Sequence, residues 1–397
     1  MDLNFTAEYQ DFRAAVRGFL DAHKHEAPKI SNAGLRGKTR LKWQRILLEH
    51  GYAARTLPKQ YGGFGAAPDA LKQRIIAEEF SRAKVPGGLS GQGINMLVPT
   101  LLELGTEEQK QAYIAKTLSG EMIWCQGYSE PGAGSDLAAL RTSAVVDGED
   151  FVINGQKIWT STANQADMIF CLVRTEPDAP KHHGISYLLF SMDTPGIEVR
   201  PLMTMTGRAE FNEVFFTDVR VPTSQIVGER GEGWMVANAT LTHERGMLGD
   251  PDAALSRLQS IAEIMQNEHV DGKSLMDNAV YRDRLVALEA EVYAMKFNGM
   301  RLTTATSAKK SAGMAGMIVK LQGCELNHRL AELAIDVMGE YGILFEDSPF
   351  LRDDGMWQTL YMFDLGLIIG GGSAQIQKNI ISERGLGMPR EPKVNKA

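Results

Sequence analysis

Residues Ser143 to Ser161 read SAVVDGEDFVINGQKIWTS. Their hydrophobic spacing runs at a period of two, and Asp147-Gly148 and Asn154-Gly155 are dipeptides that two-residue hairpin turns prefer. Both dipeptides therefore predict hairpins. Downstream, the short runs MIFCLVRT, ISYLLFSM, GIEVRPL and EVFFTDVRVP keep the same character, rich in branched and aromatic residues. A β domain is predicted from about Glu121 to Val227, within residues 120–230.

On both sides the apolar period changes to that of a helix. Tyr9, Phe12, Val16, Phe19 and Leu20 share one face, and Leu71, Ile75, Ile76 and Phe80 share another. Thr106 followed by Gln109 is a capping box that opens a helix through Ala115. Past Gly231, Ala279–Ala308 and Met314–Met338 are long helical runs with no internal proline. The expected fold class is α+β, with an N-terminal all-α domain over residues 1–119, a central β-barrel-like domain over 120–230 and a C-terminal four-helix bundle over 231–397.

Composition narrows the function classes. The 397 residues carry 42 Lys plus Arg against 49 Asp plus Glu, a net charge of −7, which offers no basic surplus for nucleic acid. Cys125, Cys171 and Cys324 lie far apart without CxxC spacing, which predicts buried thiols in a reducing compartment. The start, MDLNFTAEYQDFR, lacks the basic-then-apolar order of a secretory signal, and no apolar stretch has the length of a membrane span. A cytoplasmic location is expected. His182-His183 sits in a polar loop without a third ligand at metal spacing, so no metal site is expected. Gly63–Gly65 and Gly228–Gly233 lack a Walker lysine and read as loops. Met203, Met205 and the other methionines, 19 in all, suit an adaptable pocket but read first as core filler.

The densest motif is Gly127-Tyr128-Ser129-Glu130-Pro131-Gly132-Ala133-Gly134-Ser135-Asp136. Glycines so spaced let the backbone approach a ligand and present N–H groups to it, although spacing alone also describes a tight turn. Together with Lys157-Ile158-Trp159-Thr160-Ser161 and Ala374-Gln375-Ile376-Gln377, the string closely resembles the acyl-CoA dehydrogenase family. The resemblance extends over essentially the whole chain, through Gly339–Gly342 at the family's glycine turn and the terminal NIISERGLGMPREP.

What the resemblance implies is an FAD-dependent acyl-CoA dehydrogenase that passes electrons to an electron-transferring flavoprotein. The segment from Gln126 through Tyr128, Ser129 and Gly134 to Ser135 would line the flavin and the substrate thioester, with Ser129 at the pyrimidine end of the isoalloxazine and Ser135 also touching the pantetheine. Trp159 alone reads as core; with its flanking motifs it becomes a wall against the flavin, beside Thr160 and beside Ser161, whose hydroxyl would bond N5. Ser373 and Gln375 would complete the cofactor set, and Gly372 and Arg245 would bind substrate. The reaction is α,β-desaturation, in which a carboxylate removes an α proton while hydride leaves the β carbon for N5. In relatives the sites are completed across subunits, implying a homodimer or homotetramer, or a heterotetramer.

This chain departs from the family pattern at three places. Many relatives carry the base in a YEG turn, where this sequence has Gly370-Gly371-Gly372-Ser373, so Gly371 brings a backbone N–H for the thioester carbonyl and no carboxylate. Other branches place the glutamate before an arginine at the start of the C-terminal bundle, which makes Glu244 of Leu241-Thr242-His243-Glu244-Arg245 the candidate base. The stretch Gln266–Lys273 lacks the arginine that contacts the FAD pyrophosphate in relatives, Glu268 there would repel a phosphate, and Asp336 replaces a common glutamine. Two alternatives follow: one subunit of a heteromeric enzyme of the sterol side-chain type, or a non-catalytic, flavin-poor homologue.

Overall fold

The computed structural model describes residues 6–28, 36–247, 251–307 and 313–390. The chain forms two compact units, Met1–Met203 with Ala209–Thr240 and Thr204–Arg208 with Leu241–Ala397.

The first unit opens with five helices, α1 Ala7–His23, α2 Lys38–Glu49, α3 Ala70–Arg82, α4 Val98–Leu104 and α5 Glu107–Ser119. Val16, Phe19 and Leu20 of α1 pack with Trp43 and Leu47 of α2 and with Ile75, Ile76 and Phe80 of α3. Tyr9 and Phe12 lie at the edge of that cluster, while Leu71, in the first turn of α3, is 39% exposed. Asp69 caps α3 by accepting from the N–H groups of Leu71 and Lys72. The capping box at α5 forms as the sequence dictates, with Gln109 N–H donating to Thr106 Oγ1 at 3.2 Å and Thr106 N–H donating to Gln109 Oε1 at 3.1 Å. The helix runs one turn past Ala115, to Gly120, whose φ of 81° lets the chain leave the helix.

Seven strands follow: β1 Trp124–Gly127, β2 Ser143–Asp147, β3 Asp150–Lys157, β4 Met168–Arg174, β5 Ile185–Ser191, β6 Ile197–Leu202 and β7 Phe211–Pro222. Their order is β1-β4-β2-β3-β7-β6, with β5 on the other side of β4. Cys125, Ala144, Phe151, Ile153, Ile169, Cys171, Leu188, Phe190, Val214 and Val221 all enter one buried cluster. Six strands spaced about 4.8 Å apart converge on a common core only when the sheet curls around it.

Of the two turn dipeptides, Asp147-Gly148 forms the β2–β3 hairpin, with Asp147 opposite Asp150. Asn154-Gly155 does not turn; it lies inside β3, where the register against β7 slips. The extra residue is on β7, at Thr217-Asp218, and Asp218 adopts a φ of 50°. The Asn154 amide replaces the lost ladder bonds, accepting from Asp218 N–H at 2.9 Å and donating to Asp218 Oδ1 at 3.0 Å. The bulge also moves the buried positions of β7 from Asn212, Val214 and Phe216 to Val219 and Val221. Gly155 is required by space as well, because a Cβ there would stand 2.6 Å from Thr142 Cα.

Helix α6, Gly233–Met247, crosses the division between the units at Thr240–Leu241. In the second unit, α7 Pro251–Asn267 is followed by a small hairpin, β8 His269–Val270 with β9 Lys273–Ser274, then α8 Ala279–Ser307, α9 Gly313–Met338, α10 Met356–Ile369 and α11 Ala374–Ile380. The two long runs read from the sequence are α8 and α9. Leu258, Ile261 and Met265 of α7, Leu285, Leu288 and Val292 of α8, Leu326, Leu330 and Leu333 of α9, and Trp357 of α10 share one core, as a four-helix packing requires. All three cysteines are free and buried. Met203 and Met205 do not fill a core; they are 71% and 66% exposed.

Candidate active site

In the first unit, two of the three sequence motifs come together. β1 is placed beside β4 in parallel, and its end releases Tyr128 into a loop closed by a tight turn, in which Glu130 and Ala133 exchange N–H···O bonds at 3.1 and 3.0 Å. Pro131 presets the turn's φ and Gly132 follows it. Across from this loop β3 ends at Lys157, and Ile158 N–H donates to Ser129 O at 2.9 Å. Lys157, fully buried, donates to Tyr128 O at 3.1 Å and to Glu130 Oε1 at 2.8 Å. The Glu130 carboxylate accepts as well from the N–H groups of Arg141 and Thr142, at 2.7 and 2.9 Å. Burial alone would raise the Glu130 pKa, but Lys157 and these donors hold it below the usual carboxylate value.

Trp159 follows directly. It has a φ of 60°, a left-handed conformation uncommon for a bulky residue, and its ring is 58% exposed with its edge against Phe211 at 5.9 Å. A strained backbone that presents a large apolar ring outward is a feature of a binding wall more than of a core. Beside it, Thr160 is wholly buried and pairs with Asn212 through N–H···O bonds of 3.0 and 3.1 Å. Thr160 Oγ1, Gln126 Nε2, Asn212 Oδ1 and Glu210 Oε2 are buried with no hydrogen-bond partner among the described residues. Thr160 follows Trp159 directly and Asn212 pairs with it, so unmet polar atoms stand beside an exposed aromatic face, an arrangement that suits a flat heteroaromatic ligand with polar edges and so fits a flavin.

The individual positions differ in what they offer. The Tyr128 ring is buried edge-on against Phe170 and Tyr187, and its carbonyl is taken by Lys157, so the residue shapes the loop from within. Ser129 and Ser161 are half-buried, while Gly134 and Ser135 are exposed. The His182 ring lies tilted against Trp234, with centroids 4.9 Å apart, and among the described residues no group of three His, Cys, Asp or Glu is arranged to hold a metal.

The second unit holds the remaining positions. Glu244 and Arg245 lie in α6, and their side chains fall outside the described residues. Gly371 and Gly372 form the turn between α10 and α11 with φ values of 64° and 93°. Ser373 Oγ caps α11 by accepting from Ile376 N–H at 3.4 Å, and Gln375 is exposed. The acidic departures are each paired: Glu268 with Arg352, and Asp336 with Arg284 at 2.7 Å. Glu268 is therefore not the isolated negative charge that its place in the sequence suggests.

Glu130, Lys157, Glu210, Asn212, Lys320 and Gln377 carry no role that the sequence alone discloses. Glu130 and Lys157 stand within the quoted motifs, and a lysine at an inward-facing strand position is the signal that points to a buried partner. No comparable pattern marks Glu210 or Asn212, which are set beside the Trp159 segment by backbone bonds, Asn212 with Thr160 and Glu210 O with Thr162 N–H at 3.0 Å.

Family models of the acyl-CoA dehydrogenase N-terminal, middle and C-terminal domains match residues 6–121, 125–219 and 231–386. The chain is 38% identical over 395 residues to acyl-CoA dehydrogenase IpdE1 of Mycobacterium tuberculosis, covering 97% of this chain and 99% of that one. Among solved structures, the Tcur3481-Tcur3483 steroid ACAD superposes with a TM-score of 0.82 at 31% identity, covering 98% of this chain and 100% of that chain. The ChsE4-ChsE5 complex of Mycobacterium tuberculosis does so with a TM-score of 0.80 at 31% identity and the same coverage. Among the described residues, no helix is long and apolar enough to cross a membrane.

Proposed function

This chain belongs to the acyl-CoA dehydrogenase family of FAD-dependent oxidoreductases, and from that premise we propose that it converts an acyl-CoA thioester to the trans-2-enoyl-CoA and delivers the electrons to an electron-transferring flavoprotein. The observation that carries this reading is the join between Ser129 and Ile158, which brings the two cofactor motifs of the first unit together beside an exposed Trp159.

Bound FAD supplies the acceptor for the hydride that leaves the β carbon. The chain's own residues do the rest. Gln126, Ser129, Thr160 and Ser161 meet the polar edge of the flavin, and Trp159 covers its face and excludes water. Glu244 takes the α proton, and Arg245 with Ser135 holds the acyl-CoA. The Gly371 N–H donates to the thioester carbonyl as enolate charge develops, which acidifies the α carbon. Anaerobic titration with a panel of acyl-CoAs tests the assignment: flavin absorbance bleaches in the wild type and stays unchanged in Glu244→Gln, with ligand binding retained. Bleaching that persists in Glu244→Gln removes that residue from the role of base.

A second reading is that this chain is one subunit of a heteromeric enzyme acting on a steroid-derived acyl group. It is favoured by the absence of an arginine from Gln266–Lys273 and by similarity to the Tcur3481-Tcur3483 steroid ACAD and the ChsE4-ChsE5 complex. Flavin content that rises on mixing with the product of a neighbouring gene supports this reading. A colourless protein that binds no acyl-CoA, alone or mixed, points to a non-catalytic homologue.

A further inference from the structure

Helix α9 carries Lys320 in the interior of the second unit, where it is 2% exposed. Its ammonium donates to Ile368 O at 2.9 Å and to Gly372 O at 2.7 Å. Ile368 lies in the last turn of α10, whose final carbonyls have no donor within the helix, and Gly372 lies just beyond. One cation thus ties down both sides of Gly370 and Gly371. From the following helix, Gln377, 3% exposed, donates its Nε2 to Gly371 O at 3.1 Å.

The turn itself has little stiffness. Three consecutive glycines populate left- and right-handed conformations almost equally, so their own torsional preferences do not select φ values of 64° and 93°. Selection comes from the two buried donors. Because a peptide unit is planar and trans, fixing Gly371 O also fixes the Gly372 N–H, while the unit that carries the Gly371 N–H is held between the tied carbonyls of Ile368 and Gly371. Burying an ammonium is unfavourable unless its hydrogen bonds are made, an expense that an apolar residue filling the same space would avoid.

We propose that Lys320 is a positioning residue for the reaction, locking the Gly370–Gly372 turn so that its N–H groups face the thioester carbonyl before charge develops on it. The proposal deepens the reading of Gly371 given above and rests on it. Donors held in advance avoid reorganisation at the moment of reaction, which is the source of most of their catalytic value.

The test compares two ligands of equal chain length, an acyl-CoA and the corresponding S-alkyl-CoA thioether, which lacks the carbonyl. In the wild type the thioester binds more tightly. In Lys320→Met that preference shrinks by about tenfold, because only the thioester is weakened, and Lys320→Arg restores it. A thermal melt establishes that each variant is folded. Should Lys320→Met not fold, Gln377→Met, which frees Gly371 O, is read in its place and shows the same loss.

An unchanged preference in the folded variant overturns the proposal and leaves the desaturation reading standing. A wild type that bleaches with acyl-CoA but does not distinguish the two ligands overturns the carbonyl role of the turn, and the proposal with it. A wild type that no acyl-CoA bleaches overturns the activity as well.

Discussion

Lys157 Nζ lies 2.8 Å from Glu130 Oε1, and the two side chains, 0% and 9% exposed, form a buried ion pair that joins motifs 27 residues apart. The carboxylate has two backbone donors besides and the ammonium a backbone acceptor, so few of their hydrogen-bonding groups are left unmade. Through Tyr128 O and Glu130 the pair sets the loop that begins at Ser129, and through β3 it sets the residue two places before Trp159.

Removing one partner leaves the other charge buried alone, which costs about 3–5 kcal/mol. Lys157→Met is expected to lower the melting temperature and the flavin content together. The double variant Lys157→Met/Glu130→Gln, having no uncompensated charge, is expected to melt above Lys157→Met. Calorimetry and the ratio of flavin to protein absorbance read both effects.

Trp159 gives up backbone ease for an exposed ring. Glycine at this position relieves about 1–2 kcal/mol of left-handed strain and, since the ring is mostly exposed, removes little buried area. Trp159→Gly is therefore expected to leave the apoprotein's stability within about 1 kcal/mol of wild type, by denaturant unfolding, while FAD affinity falls by about tenfold or more in a fluorescence titration.

Gly371 is more than a turn with its carboxylate removed. Its φ of 64° is one that glutamate seldom adopts, so a glutamate introduced there would have to rearrange a turn that Lys320 and Gln377 hold. Gly371→Glu in a Glu244→Gln background is expected not to restore bleaching by acyl-CoA under anaerobic conditions. The single variant Gly371→Glu is expected to lose about 1 kcal/mol or more of stability.

Glu79, 1% exposed, is bonded by Arg13, Arg17 and Arg82, which hold its pKa at about 2. A carboxyl whose folded value lies below its unfolded value contributes stability that is present above about pH 5 and lost as pH falls toward 2. Glu79→Gln is expected to melt below wild type at pH 7, and the gap is expected to close as pH falls from 5 to 2. Melting curves across that range check the sign.

Much of this was legible because local rules and tertiary structure agree. Thr106 and Gln109 specify their cap within four residues of sequence, and the apolar runs ISYLLFSM and MIFCLVRT, buried on both faces, pair with each other along the whole of β4 and β5. Asn154-Gly155 misled because the same dipeptide that relaxes a hairpin turn also accommodates a bulge, and the choice was made by Asp218, 64 residues away. The methionines at 203 and 205 misled because hydrophobicity alone does not say whether a loop residue has anything to pack against. Lys320 was illegible for a related reason: a lysine in a helix reads as solvated until the fold shows that the turn after α10 closes over it.

The burial of all three thiols gives the molecule a chemical record of its own unfolding. Burial pushes the Cys171 thiol up to about 12 and raises Cys125 and Cys324 as well, so in the folded protein the reactive thiolate is suppressed. An alkylating reagent then modifies each sulfur only during moments of opening. Cys125 and Cys171 belong to the sheet-bearing unit and Cys324 to the helical one, so the rates at which mass is gained on separate peptides time the breathing of the two units independently, without any label being engineered.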